Sequence, residues 1–255
     1  LIKNYSKSIF KINFIESLKM INITKIHYFP GRGRAESTRW MLAINQIEFE
    51  NIPIKTPEML STLRATGKLP FDQMPLLEIN GMCLSQSSAM VRYLARLGGY
   101  YGDNNQDELW CDMIAGAVAD FAETAMQAAF QASKTLAVKS LQERFKKFGP
   151  LFENRLQDNG LCLCTGKNLT FADILLAESL NSYLEWIPDI LNDTPLLNTL
   201  YNKVVNIKGI SLYLNSPQRY PMPDSNYVID VARVLQRALP SHMLDSNRFI
   251  QDSNN

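Results

Sequence analysis

The sequence predicts an α/β domain joined to an all-helical one. Short apolar, strand-like runs alternate with helical-period stretches as far as about residue 97. An Asn80-Gly81 pair lies between two such runs and signals a two-residue hairpin, because both central positions favour positive φ. From Asn104 onward the strand signals vanish, and long segments carry apolar residues at helical spacing.

The first element is a strand at about 24–29, ending His27-Tyr28-Phe29. The turn Pro30-Gly31-Arg32-Gly33 leads to an amphipathic helix at about 34–45 and a second strand at about 48–54. Thr56-Pro57-Glu58 opens a short helix that ends near Gly67. The hairpin spans Met74 to Leu84, and a helix at about 87–97 closes the unit. This βαβαββα order calls for a mixed four-stranded sheet whose parallel pair is joined by a crossover helix. Tyr100 to Asn105 reads as a linker between domains at 23–99 and 104–240. Helices are expected at about 106–133, 137–158, 171–186, 195–207 and 225–239, and Leu109, Met113, Ala117, Phe121 and Ala125 form one apolar stripe. Thr170-Phe171-Ala172-Asp173 has the form of a capping box, with Leu169 and Ile174 placed as a hydrophobic staple. Residues 1–22 read as an extension, disordered or not native, with Met20 offering a start; 241–255 reads as a flexible polar tail.

Composition narrows the function. Twenty-six basic against 25 acidic residues leave a net charge of +1, with no basic footprint for nucleic acid. No apolar run is long enough to span a bilayer. Cys83, Cys111, Cys162 and Cys164 do not make a disulfide framework, and Cys162-Leu163-Cys164 has neither redox nor zinc spacing, so a reduced, cytoplasmic setting is expected. The only histidines are His27 and His242, which excludes a histidine metal cluster. His27 points away from Tyr28 on a strand, and both histidines read as structural or solvated.

Tyr28 carries the most information. A phenol at the mouth of a strand-turn-helix unit, with Arg34 six residues on, can stabilise a small anion. Together with Phe71-Asp72-Gln73-Met74-Pro75, Leu84 to Ala89 (LSQSSA), Leu169 to Ile174 (LTFADI) and Pro221-Met222, the stretch Lys25 to Trp40 (KIHYFPGRGRAESTRW) resembles the cytosolic glutathione transferases, most in detail the alpha class. The similarity covers roughly residues 23–238.

The resemblance implies a thioredoxin-like first domain that binds glutathione and a helical second domain that shapes an electrophile pocket. It implies that Tyr28 donates its hydroxyl hydrogen to the glutathione sulfur and that Arg34 adds positive potential. Thiols are mostly protonated near neutral pH and the thiolate is the nucleophile, so this is the activation such chemistry needs. Gln86 and Ser87 would grip the γ-glutamyl carboxylate at a helix start, Arg64 the glycyl carboxylate, and Gln73 the γ-glutamyl backbone. Met74-Pro75 corresponds to a cis peptide bond, with Met74 pairing its backbone with the cysteinyl part. Asp120 would reach the ligand's ammonium across a homodimer, and Phe71 would insert into the partner subunit like a key. Met126, Phe130, Met222 and Val234 are the candidates for the electrophile pocket.

Departures from the class are Lys147 where an arginine is usual, and Gln236 and Ala238 where relatives carry lid aromatics. The implied activity is conjugation of glutathione to hydrophobic electrophiles, for detoxification, with glutathione as cosubstrate and no metal or redox cofactor. The alternatives are a carrier of apolar ligands on the same fold and a glutathione-dependent isomerase or peroxidase.

Overall fold

The computed structural model describes residues 23–160, 162–165, 167–245 and 249. The expected extension at 1–22 and the tail beyond 245, apart from Phe249, lie outside the described residues.

Strand β1 (Thr24–Tyr28) alternates buried and half-buried positions, so His27 faces away from Tyr28 and meets Glu78 at 2.6 Å. A 3-10 turn (Gly33–Ala35) feeds α1 (Glu36–Ile44), and β2 (Phe49–Pro53) returns parallel to β1. Helix α2 (Pro57–Ala65) starts where Thr56 accepts from the Met59 amide and Pro57 occupies the first turn. β3 (Leu76–Ile79) and β4 (Met82–Ser85) form the hairpin, with Asn80 at φ 51° and Gly81 at φ 76°. The sheet order is β2-β1-β3-β4, and α3 (Ser87–Gly98) ends on the left-handed Gly99. This is the predicted thioredoxin-like arrangement.

The helical domain comprises α4 (Asn105–Ala128), α5 (Lys134–Asn159), α6 (Phe171–Trp186), α7 (Pro195–Val205), α8 (Lys208–Leu214) and α9 (Ser225–Val234). Asn104 caps α4 through the Gln106 and Asp107 amides, and Ser133 caps α5 through Leu136. Helix α6 is the axis of the core. Its Tyr183 ring stacks on Phe121 at 4.3 Å and donates to the Phe121 carbonyl at 3.0 Å.

Three differences from expectation have local causes. Helix α4 stops at Ala128, short of 133, and Ser133 begins a new helix. The segment after α7 adds α8, which the periodicity did not separate. Gly209 lets α8 lie against α1, since a Cβ there would come within 2.0 Å of the Ala43 carbonyl oxygen. Helix α9 ends at Val234, short of 239, and Gln236 follows at φ 52°. Beyond it, Ser241–Met243 forms a 3-10 turn, and the Phe249 ring meets Trp186 edge-on at 5.6 Å.

The domains are tied by charge as well as packing. Arg32 reaches Glu185 on α6 and donates to the Tyr220 carbonyl at 2.7 Å. Glu185 also pairs with Arg219 at 2.7 Å. On the other side Tyr213 donates to Glu36, which holds the buried Arg39 at 3.0 Å.

Candidate active site

A cavity of about 680 Å³ opens between the domains, within the usual range for small-molecule sites. Its first-domain wall is built from the C-terminal end of β1, the turn after it and the start of α3. The other walls come from α4, α6 and the first two turns of α9.

Tyr28 is buried with its hydroxyl facing this cavity, where it accepts a hydrogen bond from the Arg34 amide at 3.1 Å. That contact depends on Gly33, which sits at φ 40°; a Cβ there would lie 2.6 Å from the Tyr28 oxygen. Burial pushes the Tyr28 phenol above its ordinary value, opposed by the Arg34 amide and by the charges of Arg34 and Arg39. The group is therefore a neutral donor at pH 7. Its oxygen lone pair is engaged by an amide, and its proton is available to an anion.

The Arg34 side chain also lines the cavity, with its guanidinium 3.1 Å from Glu123 on α4. Ser87 lies at the start of α3, behind Gln86 at φ 68°, where the first amides of the helix have no intrahelical partner and could serve an anion. Gln86 donates to Gln73 at 2.9 Å, so two predicted ligand contacts are neighbours. Met74-Pro75 is cis. Arg64 is exposed and pairs with Asp72 at 2.5 Å; neither it, Gln73 nor Gln86 is part of the cavity wall. Asp120 is exposed on α4 at the cavity edge, and Phe71 is 63% exposed on its loop. Met126, Phe130 and Met222 line the cavity. Val234 does not. It is buried, and it borders a separate crevice behind α9, because α9 turns Tyr227 and Val231 toward the cavity and Val234 away from it.

Sequence reasoning missed Tyr227, Glu178 and Trp186. The Tyr227 phenol on α9 faces the Tyr28 phenol, and its ring fits only because Gly31 has no Cβ, which would come within 2.1 Å of it. Asp224, which caps α9 through the Tyr227 amide at 2.8 Å, marks the helix start but not the ring's destination. Glu178 was visible as one acid within the apolar run Ile174 to Leu180. Among the described residues no group of three or more His, Cys, Asp or Glu side chains is placed to hold a metal, and no helix is long and apolar enough to cross a membrane.

Family models give the same account of the two domains. Residues 24–96 match the glutathione S-transferase N-terminal domain, and residues 119–217 match the C-terminal domain. Glutathione S-transferase alpha-4 of Rattus norvegicus is 38% identical over 219 residues, covering 83% of this chain and 97% of the relative. Among solved structures, prostaglandin synthase D of Nilaparvata lugens is 27% identical with TM-score 0.65, covering 76% of this chain and 98% of the other. Monomeric Na-GST-3, a glutathione S-transferase of Necator americanus, is 26% identical with TM-score 0.67, covering 76% and 97%. A buried tyrosine at the end of β1, a cis-proline before the hairpin and matches to both domains along the chain lead to one assignment: this chain belongs to the glutathione S-transferase family, and its similarity lies with the alpha class.

Proposed function

We propose that the protein is a glutathione transferase that joins the glutathione thiolate to hydrophobic electrophiles in the cytoplasm. The observation that carries this reading is a neutral, amide-anchored Tyr28 phenol opening into a 680 Å³ cavity with a largely apolar α4 wall. The phenol donates to the sulfur and stabilises its ionised form, while Arg34 contributes positive potential from the turn. Ser87, Gln86, Gln73, the backbone of Met74 before Pro75, and Arg64 hold the tripeptide. Asp120 completes the site from a partner subunit, and Phe71 makes the key contact of that homodimer. Met126, Phe130 and Met222 contact the electrophile. The protein's contribution is thiolate stabilisation and the joint placement of both reactants. A carrier of apolar ligands would have no use for a phenol held by the Arg34 amide, so catalysis is the better reading.

Tyr28→Phe tests it. A hydrogen bond to a charged group contributes ~1.5–3 kcal/mol, so turnover with a chlorodinitrobenzene should fall roughly 10- to 150-fold. Glutathione affinity, measured by calorimetry, should stay nearly constant. Unchanged turnover would remove Tyr28 from the mechanism. Ligand binding by the unaltered protein without glutathione consumption, across aryl halides, enals, hydroperoxides and isomerisable ketones, would favour the carrier.

A further inference from the structure

Helix α6 is buried along most of its length, yet Glu178 lies in the cavity wall and its carboxyl makes no hydrogen bond among the described residues. The charges around it are committed elsewhere. Glu36 on α1 holds Arg39, Trp40 and Tyr213. Arg32, from the turn after β1, is bonded to Glu185 and the Tyr220 carbonyl. Arg219, before α9, pairs with Glu185 through Nη2; its Nε is unpartnered, but the residue does not reach the cavity.

Burial, reinforced by the charges of Glu36 and Glu185 and opposed by those of Arg32 and Arg219, pushes the Glu178 carboxyl up to about 8. Near neutral pH it is a carboxylic acid, with an O–H to donate. One turn away Ser182 lines the same wall, and Glu185 follows at helical spacing, so a polar stripe runs along the α6 side between Leu175 and Trp186. The α4 wall is more apolar: Ala115, Val118, Ala119, Ala122 and Met126 supply most of it, with Asp120, Glu123 and Gln127 as its polar members.

We propose that Glu178 is a specificity-determining residue, whose O–H in the α6 wall donates to an oxygen acceptor on the electrophile, remote from the carbon that the thiolate attacks. Preferred substrates are then apolar along one side and carry a ketone, ester or ether oxygen directed at α6. The proposal rests on the transferase reading above. It adds that the cavity selects by a hydrogen bond as well as by apolar fit, and unsatisfied polar groups discriminate more strongly than missing methylenes. Above the pH at which Glu178 ionises, the carboxylate can only accept, and the preference should disappear.

The test compares two benzylic chlorides that are identical except that a ketone in the distal chain of one is a methylene in the other. The readout is the ratio of kcat/KM for the two compounds, within each protein and from pH 6.5 to 9. The unaltered protein should favour the ketone, losing that preference above about pH 8, the value to which the Glu178 carboxyl is raised. Glu178→Leu should reduce the ratio about tenfold, the scale of one hydrogen bond. Glu178→Gln, which keeps N–H donors and does not ionise in this range, should retain the ratio at every pH. The same ratio in Glu178→Leu as in the unaltered protein would overturn the proposal, as would loss of the ratio in Glu178→Gln. Should the unaltered protein form no thioether with either chloride, the transferase reading fails separately. Calorimetric affinities of the same ketone and methylene chains, carrying an unreactive methyl in place of the chloromethyl group, then decide the role of Glu178 by the same ratios.

Discussion

Replacing Asp173 by Ala removes the fastening at the start of α6, the helix that supplies the polar wall of the cavity. One carboxylate oxygen of this fully buried residue accepts from the Leu163 amide at 2.7 Å. The other accepts from the Thr170 amide at 2.7 Å and the Thr170 hydroxyl at 2.9 Å. In Asp173→Ala both amides stay buried without partners, at ~1–3 kcal/mol each. Burial raises the Asp173 carboxyl above its ordinary range despite these donors, so substitution also relieves some desolvation. The net loss should fall at about 2–4 kcal/mol, a sizeable part of the 5–15 kcal/mol that holds a typical protein folded. Asp173→Asn keeps an acceptor oxygen and should lose roughly half as much. Urea unfolding followed by tyrosine and tryptophan fluorescence measures both. An Asp173→Ala protein within about 0.5 kcal/mol of the parent would refute the view that these bonds anchor the helix.

Gly33→Ala places a Cβ 2.6 Å from the Tyr28 oxygen at φ 40°, so it should cost ~1–3 kcal/mol and reduce turnover about as far as Tyr28→Phe. Normal turnover in a correctly folded Gly33→Ala protein would show that the close approach is unimportant. Glu178 gives a pH-dependent stability with a defined sign. Its folded value is raised from 4.5 to about 8, so the unfolded chain releases this proton first and stability falls as pH rises between those values. By pH 7 the loss is at most about 3 kcal/mol, and Glu178→Gln should therefore gain more over the parent at pH 8 than at pH 5. Equal gains at both pH values, from urea midpoints, would contradict this. Phe71 is 63% exposed, and Leu109 and Met113 on α4 are 59% and 54% exposed. If Phe71 enters a two-fold interface it is used twice, and at ~1.5–3 kcal/mol per ring Phe71→Ala should weaken the dimer at least about a hundredfold. Sedimentation velocity decides, and a parent protein that is monomeric at micromolar concentration would end the dimer proposal.

Much of the first domain is legible locally. Asn80-Gly81 specifies a turn through its own φ preferences, Thr56-Pro57 specifies a helix start, and the alternation at Thr24 to Tyr28 tells which side chains enter the core. The Thr170 to Asp173 box is legible for the same reason, because its partners lie three residues apart. The exposed positions of Leu109 and Met113 were not, since helical spacing reports a stripe but not what covers it.

Short-range pattern in the chain therefore determined the element order of the first domain, its mixed four-stranded sheet, and Tyr28 as the group at the strand end. Only the tertiary structure decided what surrounds that group. Tyr227 reaches it from α9, Arg32 crosses 153 positions to Glu185, and Glu178 is left unpaired because its neighbours have bonded to one another. Hydrophobic period depends on residues a few positions apart, whereas these contacts depend on how two domains close. The same limit explains Val234, whose apolar character suited the pocket but whose direction is set by how α9 is rotated against the cavity.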